Sequence, residues 1–158
     1  MSVRNLIWWI MFTIVGVGLQ WNVPGVDFLL PGLLVALQEH CLPQLCWVML
    51  IFILIQEGLG SLHFGGVILW YLLVLSVAGI GYRLFHVYNW FFILITSIFA
   101  AISHYAVITL MCSLQALQFD SDILFYDCLI QALITPLVWK IADILRHGIA
   151  LHENSARS

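Results

Sequence analysis

The residues able to do chemistry in this chain are few, and they stand inside apolar runs. Asp127, Gln131 and Thr135 recur at i, i+4 and i+8, which on a helix sets them in one row on one face. Pro136 follows directly. It removes one helix hydrogen bond and leaves the carbonyl of Ala132 for a neighbouring group to satisfy. Glu57 stands just before a glycine-rich link, residues 58–66, that contains Gly58, Gly60, Gly65 and Gly66. His104 lies near the middle of a long apolar run, beside Ser103. A charge at the centre of a bilayer costs at least about 2.5–3.5 kcal/mol, so each such group needs a reason. For the row on the last helix the reasons are hydrogen bonding between helices, which is the commoner use, or a proton or ion relay through Asp127. For Glu57 they are an anchor for a partner or for the opposite helix, or a solvated helix end. For His104 the expected state is a neutral imidazole bonded to another helix.

Other chemistry finds little support. Cys41, Cys46, Cys112 and Cys128 form no CxxC pair and no zinc spacing, so they read as small apolar packers. His40, Cys41 and Cys46 are too loosely spaced to make a convincing ligand set. No nucleophile elbow, HExxH, P-loop or dinucleotide fingerprint is present. The expectation is therefore no enzyme, no catalytic residue, no cofactor and no metal.

These groups must be positioned by elements suited to lipid. Of 158 residues, 63% are hydrophobic and 8% charged, and mean hydropathy is +1.07. Soluble domains carry about 25% charged residues, so the chain reads as an integral membrane protein. No basic cluster favours nucleic acid. Arg4 precedes an apolar run that no small-residue cleavage site closes, so this run reads as a retained first span rather than a signal peptide. The length suits one domain, residues 1–151, followed by a short polar tail, 152–158.

A spanning helix needs about 20 mostly apolar residues. The runs predict an all-α polytopic bundle of about six transmembrane helices, over residues 5–21, 28–38, 44–57, 64–82, 90–114 and 123–145. The stretch 45–84, two apolar runs around the glycine link, predicts an antiparallel hairpin against which the rest packs. The second run is short and contains Pro31 and Gly32. It predicts a tilted or broken span, or a re-entrant segment, and irregular backbone at that depth requires cover from other helices. Beyond Leu151 the tail is expected to be disordered.

With six spans and a cytoplasmic N-terminus, Arg4, Arg83, Lys140, Arg146 and Arg157 all fall on the cytoplasmic side. Asp120 and Asp122 fall outside. This agrees with the positive-inside rule and predicts both termini in the cytoplasm.

Three stretches resemble the rod-shape-determining MreD family of small bacterial inner-membrane proteins. One is Pro24-Gly25-Val26-Asp27-Phe28-Leu29-Leu30-Pro31, a turn into a short apolar run. Another is the link from Gln56 to Gly66, where Glu57 and Phe64-Gly65 stand in the places of the family's acid and its Phe-Gly or Leu-Gly pair. The third is the apolar helix 129–145, which carries Pro136 and ends in basic residues. The family's acid is more often Asp, and the C-terminal tail here is only weakly basic. The resemblance implies a non-enzymatic scaffold in the cell-elongation complex, working with an MreC-like bitopic protein and cell-wall synthesis enzymes in support of peptidoglycan synthesis. It also implies a fold similar to the six-helix substrate-binding subunits of energy-coupling-factor transporters. On this reading Glu57, Gly60, Gly65, Asp127, Gln131 and Pro136 are the candidate interface or structural positions. The alternative is a small-molecule-binding membrane subunit of a transporter, suggested by the polar set Glu57, His104 and Asp127. A thiol–quinone oxidoreductase would need a reactive cysteine pair outside, whereas Cys41 and Cys46 are predicted inside.

Overall fold

A computed structural model describes residues 3–59, 65–84, 90–116 and 120–155. All of its regular structure is helical: α1 (Val3–Asn22), α2 (Leu30–Gln38), α3 (Leu42–Leu59), α4 (Gly66–Leu84), α5 (Trp90–Leu114) and α6 (Ser121–Ser155). Among the described residues four helices are long and apolar enough to cross a membrane: α1, α4, α5, and α6 over Ser121–Arg146. The helix α3 is a shorter apolar one, and α2 has only nine residues. The molecule is a multi-pass helical membrane protein. Large apolar side chains such as Ile14, Leu54, Leu72, Ile98 and Leu133 stay exposed around the bundle, where lipid tails are as apolar as they are.

The hub is not the α3–α4 hairpin that the glycine link suggested. It is α2. Every residue from Leu30 to Ala36 is buried, and the helix packs against α3, α4 and α6. A helix that is apolar all round seeks complete enclosure, and α2 offers no polar face to place elsewhere. The hairpin helices, by contrast, each keep an exposed apolar side.

The segment 23–38 returns the chain to the end of the bundle where α1 began. Arg146 shows this directly, because it bonds both Asn5, near the start of α1, and Glu39, at the end of α2. The return is made by a stretch that is mostly outside regular structure, followed by the short helix α2. Its path lies close against α1. A Cβ on Gly32 would overlap the ring of Phe12, and one on Gly16 would meet Leu29 Cδ2 at 2.6 Å. The two glycines let the backbones approach. Trp9, 1% exposed, fills the adjoining space with edge-on contacts to Trp47 and Phe52.

Arg146 ties this end together. Its guanidinium bonds both carboxylate oxygens of Glu39 and the amide oxygen of Asn5, and it lies 5.0 Å from the ring centre of Trp8 and 5.7 Å from that of Trp9. Gln44 completes the cluster through Asn5 and Glu39. One side chain thus joins α1, α2 and α6 at their shared end. The helix α6 continues to Ser155. Past Arg146 no proline stops it.

Candidate functional site

At the other end, a buried carboxylate sits where α2 begins. The first N–H groups of any helix lack internal partners, and at this buried position a side chain is needed to serve them. Asp27 does so: its Oδ1 accepts from the N–H of Leu29 at 2.6 Å and of Leu30 at 3.2 Å. The positive end of the helix dipole favours an anion in this place. Gln20 Nε2 donates to the same oxygen at 3.1 Å, and the Tyr71 hydroxyl donates to Oδ2. Asp27 is 6% exposed and Tyr71 fully buried. All four donors are neutral, so the carboxylate is held by hydrogen bonds rather than by a cation.

Gln131 holds the backbone of the same residue. Its Oε1 accepts from the Asp27 N–H at 2.7 Å, and its Nε2 donates to the Asp27 carbonyl at 3.1 Å and to Thr135 Oγ1 at 2.9 Å. Thr135 in turn donates to the Gln131 carbonyl at 2.7 Å. Tyr71 is on the second turn of α4 and Gln131 on the third of α6, so the cluster lies about 7–15 Å inside the helix ends.

Asp127, one turn before Gln131, turns to a different task. It packs against Gly25, where a Cβ would overlap its carboxylate, and Gly25 has φ +90°, a conformation that side chains resist. Among the described residues Asp127 meets no hydrogen-bond donor. Glu57 caps the next helix: its Oε1 accepts from the N–H of Gly65 at 3.0 Å and of Val67 at 3.1 Å. Gly65 has φ +121°, which turns the chain so that these N–H groups face Glu57.

A cleft of roughly 700 Å³ opens among these groups. Gln20, Asp27, Gln56, Glu57, His104 and Asp127 supply its polar lining, and Val17, Trp21, Val67, Trp70, Val107 and Ile108 most of its apolar walls. His104 stacks on the Trp70 indole with ring centres 4.2 Å apart, while Trp70 Nε1 donates to the carbonyl of Ala100 and the hydroxyl of Ser103 on α5. Among the described residues two polar atoms beside the cleft are buried without a hydrogen-bond partner: His104 Nδ1 and Gln20 Oε1.

The structure therefore brings Glu57, His104 and Asp127 to one cleft and puts Gln131 directly behind it. Gly65 is tied to the cleft only through its N–H, which donates to Glu57. Pro136 is buried within a continuous α6 and does not line the cleft. Gly60 lies outside the described residues. Among the described residues His104 has no hydrogen bond to another helix, contrary to expectation, and it packs by stacking on Trp70. Four residues central to the site were not singled out from the sequence: Asp27, Tyr71, Gln20 and Gln56. Of these Asp27 left a legible signal, an acid just ahead of a short apolar helix, which is the pattern of an N-cap. The others look like ordinary residues of apolar spans. Cys41 and Cys46 are exposed, Cys112 and Cys128 buried, and all four are free. Among the described residues no three His, Cys, Asp or Glu side chains are grouped to hold a metal ion.

Fold and site together define a multi-pass helical membrane protein with a polar cleft let into its helices. No protein-family model, curated protein or solved structure matches the chain.

Proposed function

We propose that this chain is a non-enzymatic scaffold of the bacterial cell-elongation complex. In this reading it lies in the inner membrane, crosses it six times with both termini in the cytoplasm, and binds an MreC-like bitopic protein in support of peptidoglycan synthesis. One observation carries the reading. The three stretches that resemble MreD are far apart in sequence, yet they meet at one place. Asp27 of the first bonds Gln131 of the third, and Gln56 and Glu57 of the second share a cleft with Pro24, Gly25 and Asp27 of the first. A likeness of composition alone has no reason to converge in space; a likeness of one built site does. A fold similar to the substrate-binding subunits of energy-coupling-factor transporters belongs to the same proposal, with α2 as its enclosed central segment.

The scaffold works by rigidity. The Asp27 cluster and the Arg146 cluster clamp α1 and α2 at both ends, so the outer faces of the bundle hold a fixed shape for a partner helix to meet. Purification in nanodiscs is expected to carry along a bitopic partner, and depletion is expected to round the cells. Recovery of the protein alone, together with normal cell shape on depletion, removes the reading.

The cleft itself favours a second reading, a small-molecule-binding subunit of a transporter. Transport sites lie within the bilayer beside broken helices, and the start of α2 is such a break. A thermal-shift screen against vitamins and small cations tests it, since a ligand of the folded state raises the melting point. A flat screen removes it.

A further inference from the structure

We propose that the cleft is a binding site for an ammonium group carried on an apolar body. The ammonium can belong to a free amine, which rests on the small-molecule reading of the cleft, or to a lysine of a neighbouring membrane segment, which does not.

The lining selects the chemistry. Asp27 already accepts three donors on Oδ1 and the Tyr71 hydroxyl on Oδ2, so its Oδ1 has nothing left to offer a ligand. Asp127 and Glu57 are different. Among the described residues Asp127 meets no donor, and Glu57 uses only Oε1, to cap α4. The cleft therefore presents two carboxyls in want of donors. An independent observation points the same way. His104 Nδ1 and Gln20 Oε1 are buried beside the cleft without hydrogen bonds, although buried polar atoms are nearly always paired. The Gln20 oxygen can only accept, and the imidazole nitrogen accepts in its neutral tautomer with the proton on Nε2. The open groups thus ask for a donor, and the carboxyls ask for one with positive charge.

Spacing and size narrow the class further. The acidic and imidazole groups do not converge closely enough to ligate a metal among the described residues. A cleft of roughly 700 Å³ is of the size that takes a small organic molecule. Its walls of Val17, Val67, Trp70, Val107 and Ile108 suit an apolar body. An ammonium fits the head of the site, since its three N–H groups can reach separate acceptors and charge-assisted hydrogen bonds are the stronger kind.

The test uses the full chain in nanodiscs. Phenethylamine is titrated against its neutral counterpart 2-phenylethanol, by thermal shift and by calorimetry. In a second arm a membrane-spanning peptide with one central lysine is compared with the same peptide carrying norleucine. The ammonium form is expected to raise the melting point and release heat where the neutral form does not. Asp127→Asn, and His104→Phe, which keeps the stacking on Trp70, are each expected to weaken that response by about tenfold or more. A response to phenethylamine assigns the site to a free amine, and a response to the lysine peptide alone assigns it to a neighbouring segment. Equal responses to charged and neutral forms in both arms overturn the proposal, as does an undiminished response in Asp127→Asn. Such a result leaves the scaffold reading standing, because partner co-purification does not depend on this cleft being filled.

Discussion

Asp27 and Gln131, 104 residues apart, are joined by a pair of hydrogen bonds in which a side-chain amide pairs with a peptide unit. The Asp27 N–H donates to Gln131 Oε1 at 2.7 Å, and Gln131 Nε2 donates back to the Asp27 carbonyl at 3.1 Å. The pairing resembles two adjacent rungs of a sheet, built with one strand and one side chain. It answers the problem that segment 23–29 poses. Backbone that is neither helix nor sheet must find partners inside an apolar bundle, and a primary amide is the side chain that offers a donor and an acceptor side by side.

Gln131→Leu is therefore expected to be among the most damaging single changes in α6. It keeps the bulk of the side chain but strands the N–H and the carbonyl of Asp27. Two unsatisfied buried groups at about 1–3 kcal/mol each put the loss near 2–6 kcal/mol. Reversible unfolding in nanodiscs measures it. A loss below about 1 kcal/mol shows that the pairing contributes little.

Asp27→Ala removes the cap of α2 and leaves the Tyr71 hydroxyl without an acceptor. The cap alone is worth about 0.5–2 kcal/mol, and the stranded hydroxyl adds a further cost of about 1–3 kcal/mol. Tyr71→Phe in the Asp27→Ala background is expected to recover part of the loss, because it removes the stranded group. If the double variant is as unstable as the sum of the two single variants, the two residues are not coupled.

Gly25→Ala meets two obstacles, a left-handed backbone and the Asp127 carboxylate. Trimming Asp127 to alanine removes the second and leaves the first. The double variant Gly25→Ala/Asp127→Ala should then be more stable than Gly25→Ala alone, while still short of the parent by about 1–3 kcal/mol of backbone strain. A double-mutant cycle reads this coupling directly. Purely additive losses contradict the contact.

Arg146→Lys keeps the charge at the end of α6 but loses the forked pairing with Glu39 and the planar contact with Trp8 and Trp9. Arginine and lysine are not equivalent in such a place. The substitution is expected to cost about 1–3 kcal/mol, most of what Arg146→Ala costs. Limited proteolysis near residue 39 offers a second readout, because α1 and α2 lose their shared tether. Full retention of stability by lysine means that charge alone serves there.

Glu57 is best probed by comparison. Glu57→Gln retains an oxygen that can cap Gly65 and Val67, whereas Glu57→Ala removes it. The glutamine variant is expected to stay within about 0.5 kcal/mol of the parent and the alanine variant to lose about 1–2 kcal/mol. Equal losses in both indicate that the negative charge, rather than the acceptor, holds the start of α4.

Much of the architecture was legible because lipid imposes simple demands. A chain with 8% charged residues must bury its backbone groups in helices, and helix length follows from bilayer thickness. That reasoning placed the helices close to where they lie and put Asp127, Gln131 and Thr135 on one inward face of α6. It also marked Glu57 and His104 as residues in need of a reason. What it missed lies in relationships between segments. Periodicity reports which face of a helix is apolar, but an enclosed helix such as α2 is apolar on every face, so the pattern carries no sign that Leu30–Ala36 form the centre. Nor does sequence spacing record that Asp27 would meet Tyr71, or that Arg146 would close over Trp8 and Glu39. Those pairings depend on how α1, α3, α4 and α6 surround one short helix. Composition decided the solvent and the element type, because both follow from each residue's own transfer free energy. Only the packed bundle decided which polar groups satisfy one another and which remain open in the cleft, because a hydrogen bond depends on the relative position of two groups that the chain keeps far apart.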